Sequence, residues 1–334
     1  MRIAAIFRGG GPQGAEKQAP LPWASFDQHL LKLATQKGAR RLRRRVTALS
    51  WDGGRPRLEL GESEGVTYDF LIGAVGLNGS AFKLFDDLHF GYRPPKFTRS
   101  FISELYLGES EVKRLLGQAM HVFLLNIPKL KFVAITPKSH YATFIILGDE
   151  IDQEMIDRVF ATPQVRSCLP PGWVIPVQTC KCQPRINTGP PANIFTDRVV
   201  LVGDCGVSRL YKDGIGAAYR LSKVLAVTAI SHGIGAEDFR RHYWPACQEM
   251  ARDNALGMAL FTMDEQIKSW DFMRAGMLVA IRREQAGLSP PRLSSALWDT
   301  FTGSGSYVGI LQRMVHPSVW VRVALESMRY LLAK

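Results

Sequence analysis

The segment at residues 201–223, LVGDCGVSRLYKDGIGAAYRLSK, contains the residues of this chain that are best suited to hold a phosphate-bearing molecule. Asp204 follows Gly203 at the end of an apolar run, where a carboxylate can accept hydrogen bonds from ligand hydroxyls. Gly214 and Gly216 open the helix that comes next. Free backbone N–H groups and the helix dipole at such a start favour a phosphate or a developing negative charge. The spacing predicts a cofactor-binding turn.

Two further positions carry side chains that can do chemistry, and each allows two interpretations. Lys212 would place a positive charge beside an anionic ligand if it lay next to one, and otherwise it would be a solvated loop lysine. Cys180 and Cys182 form a C-x-C pair, which is either two small buried side chains or a redox-active or substrate-facing pair. No second cysteine pair or histidine cluster accompanies them in the sequence, which argues against a zinc site.

The composition is that of a globular protein with a large positive charge. Of the 334 residues 46% are hydrophobic, and 42 Lys and Arg against 30 Asp and Glu give a net charge of +12. Such a balance favours anionic partners, namely a phosphate-bearing cofactor, an acidic membrane surface or nucleic acid. Nucleic acid is the least favoured of the three, and we do not expect nucleic acid as a partner. The densest basic run, at residues 40–45, lacks the interleaved aromatic side chains of nucleic-acid binders.

Cysteine usage and hydropathy restrict the expected compartment. Five cysteines are an odd number and most are widely spaced, which favours a reducing compartment. No apolar run approaches the ~20 residues that span a bilayer. The start, MRIAAIFRGGGPQG, is too short and too rich in glycine for a signal peptide. The sequence predicts a cytoplasmic protein and leaves peripheral membrane contact open.

The first ninety residues alternate between strand-like and helix-like patterns. RIAAIF predicts a strand that stops at the loop of residues 9–12. A helix is predicted over 25–39, capped by Ser25 and with Leu30 and Leu33 on its apolar face. RRVTALSW, PRLEL and VTYDFLIGAVG follow, separated by glycine-rich turns. They predict a meander of three strands.

The middle of the chain predicts an antiparallel sheet. Proline joints separate runs such as SFISELYL, KFVAITP and YATFIILGD between residues 93 and 190, with helices expected against one face. The clearest of these helices is 153–161, which Asp152 can cap. Residues 198–205 predict a buried strand, and the chain beyond residue 236 is predicted to be helical.

The last predicted helix, residues 317–334, has an apolar side. Its apolar members are Val319, Val323, Leu325, Met328 and Leu331, whereas Arg322, Glu326 and Arg329 are expected elsewhere on the helix. Packing on the protein's own core is the favoured interpretation. Contact with a membrane surface, or with the entrance for a lipid substrate, is the alternative.

Three stretches carry a family resemblance: RVVLVGDCG…KDGIGAAYRLSK, YDFLIGAVGLNGS and SFDQHLLKLATQKGARRLRRRVTAL. In order and approximate spacing they resemble flavoproteins of the para-hydroxybenzoate hydroxylase fold. That family includes aromatic monooxygenases, flavin halogenases and geranylgeranyl reductases. The resemblance covers about residues 20–235. KFVAITPKSHYATFIILGD resembles, more weakly, a substrate-domain strand pair of the reductase branch.

The resemblance implies FAD as the cofactor. Asp204 would accept hydrogen bonds from the ribityl hydroxyls, and the backbone at Val46 would meet the adenine. The electron donor would be NAD(P)H or a reduced carrier. An apolar, isoprenoid- or quinone-like substrate would lie between the flavin and the 93–190 sheet, and no catalytic residue or metal is implied. The implied cofactor-binding residues are Gly203, Asp204, Gly214, Ile215, Gly216, Ala217, Val46 and Gly76, with Lys212 as a candidate near the flavin.

The chain departs from the family pattern at several positions. Val75 stands where an acidic residue is usual, and Trp23 where many members have Arg. The opening unit of the family, a strand, G-x-G-x-x-G and a helix, is predicted to be absent between Met1 and Phe26, because no second spaced glycine is expected to open a helix after the loop of residues 9–12. An N-terminal piece on the order of a hundred residues is therefore expected to be missing, or to be a separate partner protein. Sub-stoichiometric FAD is expected as a result.

The predicted fold class is mixed α/β. An incomplete three-layer FAD-binding domain occupies 1–92 and 191–250, an antiparallel-sheet substrate domain occupies 93–190, and a helical region occupies 251–334. The predicted function is that of an FAD-dependent oxidoreductase, either a reductase or a monooxygenase. The alternative is a non-catalytic remnant, or a module that binds a lipid or a protein through the retained sheet.

Overall fold

The computed structural model describes residues 1–7, 26–61, 63–174 and 181–332. The described residues form a mixed α/β structure with a helical C-terminal region, which confirms the predicted class. The strands are β1 (Ile3–Phe7), β2 (Ala48–Asp52), β3 (Arg55–Leu60), β4 (Ser63–Thr67), β5 (Phe70–Ala74), β6 (Phe97–Tyr106), β7 (His121–Phe123), β8 (Leu130–Lys138), β9 (Tyr141–Gly148), β10 (Lys181–Cys182), β11 (Arg185–Asn187), β12 (Phe195–Thr196) and β13 (Val199–Leu201). The helices are α1 (Phe26–Gln36), α2 (Glu109–Leu116), α3 (Gln153–Ala161), α4 (Pro163–Arg166), α5 (Gly214–Ser231), α6 (Ala236–Asp238), α7 (Trp244–Ser269), α8 (Asp271–Gln285), α9 (Arg292–Thr302), α10 (Tyr307–Met314) and α11 (Pro317–Leu332).

The chain divides into two compact units. The first consists of Met1–Leu71, Val75–His89 and Phe97–Ile186, and the second of Ile72–Ala74, Phe90–Lys96 and Asn187–Lys334. These two units follow from the packing of the chain and do not test the four domains predicted from sequence, which remain a prediction.

The first unit contains an antiparallel sheet in the order β10-β6-β9-β8-β7, with β11 also paired to β6. In the hairpin of β8 and β9, Val133 lies opposite Ile146 and Ile135 opposite Phe144. These four side chains are fully buried, and they pack with residues of α2, α3 and α4 in one apolar cluster. The predicted antiparallel sheet, with helices packed against its apolar face, is confirmed.

Helix α3 has the bounds that the sequence predicts. It runs from Gln153 to Ala161, and the Asp152 carboxylate accepts a hydrogen bond from the Met155 N–H at 2.8 Å. This bond satisfies one of the N–H groups that a helix start leaves without a partner. The helix buries its apolar face, including Val159 and Phe160, in the same cluster as the sheet.

The same unit contains a three-stranded meander in the order β2-β3-β4, but its third strand is not the one predicted. The run VTYDFLIGAVG is divided: its first two residues end β4, and residues 70–74 form β5, which lies outside the meander. Two further boundaries are also wrong. The predicted helix over 25–39 ends at Gln36 and has no buried residue, so Leu30 and Leu33 are exposed. Ser25 lies outside the described residues. Strand β2 begins at Ala48, and Val46 therefore lies ahead of the strand in which it was predicted.

The second unit is built on β13 and α5. Residues 72–74 of β5 lie beside β13, which pairs antiparallel with β12. β13 is completely buried, but the predicted strand over 198–205 is too long, because residues 203–205 form a 3₁₀ turn. The inner face of α5 consists of Ala217, Leu221, Leu225 and Thr228, which are buried, and Val224, which is half-buried.

The helices from α6 to α11 confirm the predicted helical end, with one correction. The apolar residues of α11 do not share one side: Val319 and Val323 are buried, whereas Leu325, Met328 and Leu331 are exposed. Glu326, expected away from the packed side, is buried. The prediction was wrong because both faces of α11 are apolar, and periodicity does not tell which of two apolar faces packs. Among the described helices none has the length and hydropathy to cross a membrane.

Candidate functional site

Residues 203–213 connect β13 to α5 and bring the principal predicted site residues together. Asp204 lies in the turn that directly follows β13, and the Ser208 hydroxyl donates a hydrogen bond to Asp204 Oδ1 at 2.8 Å. A Cβ atom added to Gly214 would lie 3.8 Å from the same oxygen. The start of α5 therefore lies against the carboxylate at the end of the strand.

Two glycines of this site make room for different things. Gly203 has a φ of +69°, a conformation that favours glycine, and the position of its missing Cβ faces open space. Gly216 was predicted to let a cofactor approach, but a Cβ atom there would collide with the carboxylate of Asp213. The space next to Gly216 is therefore occupied by the Asp213 carboxylate, whereas the space next to Gly203 is open.

The first turn of α5 presents backbone donors. Asp213 precedes the helix with a φ of +59°, and among the described residues its carboxylate makes no capping hydrogen bond. It accepts instead from Arg220 Nη2 at 2.8 Å. The helix begins with the bond from Ala217 N to Asp213 O, so the N–H groups of residues 214–216 have no acceptor inside the helix. Ile215 among them is exposed.

Helices α7 and α10 hold residues 203–213 in place through three hydrogen bonds. Asn254 Oδ1 accepts from Leu210 N at 2.9 Å, and Asn254 Nδ2 donates to Ser208 O at 2.8 Å. The Tyr307 hydroxyl donates to Leu210 O at 2.7 Å. Sequence reasoning missed both side chains. The one available signal was an Asn and a Gly, Asn254 and Gly257, within one turn of a helix, where both residue types are unfavourable.

Arg209, within residues 203–213, carries a buried positive charge. It is 9% exposed, donates from Nη1 to Gly303 O at 2.8 Å and from Nη2 to Gly305 O, and lies 4.9 Å from the centre of the Tyr307 ring. Its Nε has no hydrogen-bond partner in the part of the chain that the structure describes. Burial raises the pKa of the Tyr307 phenol, which keeps it neutral as a hydrogen-bond donor.

Lys212 is half-buried in the same segment. A Cβ atom added to Gly303 would lie 3.2 Å from Lys212 Cβ, so the Gly303 backbone packs on the lysine stem. Burial lowers the pKa of the Lys212 ammonium because the charged form loses hydration. A fully solvated loop lysine does not describe this environment, and a place beside a flavin remains a prediction.

A cavity of about 710 Å³ borders this segment in the second unit. Its walls include Arg209, Arg220, Leu221, Asp253 and Gly303. The volume falls within the ~300–1,000 Å³ of small-molecule sites, so the second unit has room for a ligand beside α5.

The remaining predicted site residues belong to the first unit or lie outside the described residues. Val46 is half-buried, and Gly76 has a φ of +62° with open space at its missing Cβ. Their roles at a cofactor remain predictions. Cys182 is half-buried in β10, whereas Cys180 lies outside the described residues. Among the residues described, no three His, Cys, Asp or Glu side chains are grouped to hold a metal ion.

The glycine loop after β1 requires a correction. Gly9, Gly11 and Gly14 have the spacing G-x-G-x-x-G, which the interpretation of this loop overlooked. The loop itself lies outside the described residues, as does any element that follows it up to Phe26. The expectation that an opening unit is missing therefore remains a prediction, and the glycine spacing itself counts against it.

Comparison with known proteins shows similarity in structure. No protein-family model matches the sequence, and no curated protein does. A geranylgeranyl bacteriochlorophyll reductase-like protein from Thermoplasma acidophilum is 13% identical, with a TM-score of 0.60 over 90% of this chain and 74% of its own. The halogenase PltM is 14% identical, with a TM-score of 0.55 over 85% of this chain. The peptidyl tryptophan dihydroxylase QhpG is 13% identical, with a TM-score of 0.53 over 73%.

The matches extend over only part of some of these structures. The chain spans 61% of the halogenase and 56% of the dihydroxylase. A variant of the halogenase with a TM-score of 0.53 was crystallised with FAD. The chain therefore has the fold that this FAD-binding halogenase shares with the reductase-like protein and the dihydroxylase.

Proposed function

We propose that this protein binds FAD and is an oxidoreductase. The observation that carries the proposal is the position of the Asp204 carboxylate next to the start of α5, within a fold shared with a halogenase crystallised with FAD. A carboxylate at the end of a buried strand, next to a glycine-opened helix start, suits a molecule that carries both hydroxyl groups and phosphates.

The residues of the segment fit such a cofactor. Asp204 is half-buried and accepts the Ser208 hydroxyl, which uses one of the roughly four lone-pair sites of a carboxylate. Gly203 leaves open space next to it. The N–H groups of residues 214–216 and the helix dipole favour an anionic group. Residues 205–211 are buried, so the segment is a formed support rather than a solvated loop.

FAD would supply the electron transfer, and the protein would bind and orient it. Asp204 would accept hydrogen bonds from cofactor hydroxyls. The buried guanidinium of Arg209 and the half-buried ammonium of Lys212 add positive charge to the same segment, which favours an anionic ligand. We assign no catalytic residue. The electron donor is proposed to be NAD(P)H or a reduced carrier.

The substrate class has less support than the cofactor. Phe101 and Phe144, two aromatic side chains of the sheet against which the substrate was expected to lie, pack instead in the apolar cluster between the sheet and its helices. On the opposite face of the same sheet, the Glu104 carboxylate accepts hydrogen bonds from Thr143 and Lys138, so that face is polar. An isoprenoid- or quinone-like substrate, and the choice between reduction and oxygenation, are therefore proposed on the family resemblance alone.

Titration of the purified full chain with FAD tests the proposal. Wild-type protein should bind FAD, measured by flavin fluorescence, and Asp204→Ala should bind it about 10- to 150-fold more weakly, because a charged acceptor is worth about 1.5–3 kcal/mol. Asp197→Ala is the matched control, since Asp197 is a carboxylate of the same unit that accepts from Ala236 N. A folded, colourless protein without FAD affinity would contradict the proposal and favour a non-catalytic module. Equal affinity in both variants would remove Asp204 from the site.

A further inference from the structure

Helix α11 has a second apolar face that no described element covers. Val321, Leu325, Met328 and Leu332 are spaced i, i+4, i+7 and i+11, which places them in one row about 16 Å long. They are 60%, 47%, 53% and 88% exposed. Leu331, 54% exposed, widens the row on one side. We call this row the outer face.

The inner face of the same helix is fixed against α8. A Cβ atom added to Gly276 would lie 2.7 Å from Val323 O and 2.9 Å from Ser327 N, so the two backbones are in close contact there. Val319 and Val323 join an apolar cluster with Met277 and Ala280. The helix is therefore held in one rotation, and it cannot turn to bury the outer face.

Charge selects what can cover the outer face. Arg322 and Arg329 lie along one border of the row, seven residues apart, and Arg322 Nη1 lies 3.8 Å from Oε1 of the buried Glu284 in α8. The one carboxylate of α11, Glu326, is buried, and it is already shared between Arg329 at 2.8 Å and Arg283 at 3.9 Å. Three arginines, Arg283, Arg322 and Arg329, thus face two buried carboxylates, which leaves a net positive charge beside the apolar row and no exposed carboxylate on α11.

A second copy of the chain is a poor partner for this surface. Antiparallel pairing of two outer faces would bring the arginine borders of both copies together without an exposed carboxylate on either helix to lie between them. The net charge of +12 adds to that repulsion. An acidic lipid surface supplies both missing components, a hydrocarbon boundary for the row and negative headgroups for the border.

We propose that α11 docks its outer face on an anionic membrane surface and lies parallel to the bilayer plane. The inference does not depend on FAD binding. It differs from membrane insertion, because the inner face stays packed on α8 while the outer face enters the headgroup boundary.

Flotation of the full chain with vesicles tests the inference. Vesicles of one part phosphatidylglycerol and three parts phosphatidylcholine should carry the wild-type protein, and pure phosphatidylcholine vesicles should not. Leu325→Gln with Met328→Gln should reduce the bound fraction at least tenfold, because two apolar side chains are lost from the contact. Arg329→Gln should reduce binding about fivefold, the value for one basic residue at an anionic surface.

A matched control uses exposed apolar residues elsewhere. Ile230→Gln with Leu288→Gln removes two exposed apolar side chains from α5 and from the segment after α8, and it should float like the wild type. Circular dichroism and FAD titration of every variant should match the wild type, which separates this inference from the proposed function. Wild-type protein that fails to float with anionic vesicles would overturn it. A dimer in solution that the Leu325 and Met328 substitutions dissociate would do the same.

Discussion

The antiparallel sheet of the first unit and residues 203–213 of the second are stabilised by different interactions. The sheet packs aromatic and branched side chains, such as Phe144 against Phe160 with ring centres 4.3 Å apart. Residues 203–213 depend on polar contacts from distant side chains, including Asn254 and Tyr307. They also contain three left-handed residues, Gly203, Tyr211 and Asp213.

This difference separates stability from binding. Many apolar contacts each contribute part of the stability of the sheet, and no single polar group determines its geometry. A segment fixed by a few hydrogen bonds has one geometry, and removing a partner leaves a buried donor or acceptor unsatisfied. We therefore expect substitutions in the sheet to change unfolding, and substitutions around residues 203–213 to change FAD binding.

The largest expected effect is on the sheet. Phe144→Ala removes a fully buried ring that stacks on Phe160, and it should cost about 3–5 kcal/mol of stability in the first unit. Hydrogen exchange followed by mass spectrometry should show lost protection in peptides from residues 97–148. Peptides from residues 203–231 should keep theirs. An equal loss in both regions, or a matching loss of FAD affinity, would contradict the separation.

The next effect is at the contact of α7 with residues 203–213. Asn254→Leu keeps the volume but leaves Leu210 N–H and Ser208 C=O without their partner, a cost of about 1–3 kcal/mol. FAD affinity should fall by about 5- to 150-fold, while exchange in the sheet stays unchanged. Gln266→Ala, at an exposed position of the same helix, is the control. Unchanged FAD affinity in Asn254→Leu would show that the segment tolerates the loss of these bonds.

The same contrast explains how far the sequence could be read. Asp152 and α3 were predicted residue by residue because cap and helix are adjacent in sequence. The bonds that fix Leu210 come from side chains 44 and 97 residues away, and no local pattern points to such partners. The motif of Asp204 and Gly214 located the site, but its support was missed. Gly216 was assigned to a ligand although its space is taken by Asp213.

A smaller effect separates two aspartates that each precede a helix. Asp152→Ala removes the capping bond to Met155 N and should destabilise α3 by about 1 kcal/mol. Asp213→Gly should leave helix α5 nearly as stable, because Asp213 makes no capping bond in the described structure and glycine relieves its left-handed backbone. Hydrogen exchange of the two helices measures both. Equal losses in α3 and α5 would show that Asp213 stabilises its helix through Arg220 alone.

The smallest effect concerns the charge of Lys212. Burial lowers the pKa of the Lys212 ammonium in the folded protein. Between this lowered pKa and the unfolded value near 10.5, the unfolded chain therefore binds more protons than the folded one. Stability of the FAD-free protein should therefore rise with pH through the window between the lowered pKa and 10.5. Lys212→Met keeps the apolar stem and should lack that rise.

The measurement is the difference in unfolding free energy between Lys212→Met and the wild type from pH 7 to 10, with the exposed Lys223→Met as baseline. The difference should shrink as pH rises, since the neutral lysine no longer carries a desolvation cost. A constant difference would mean that the Lys212 ammonium is not destabilised by its surroundings in the folded protein.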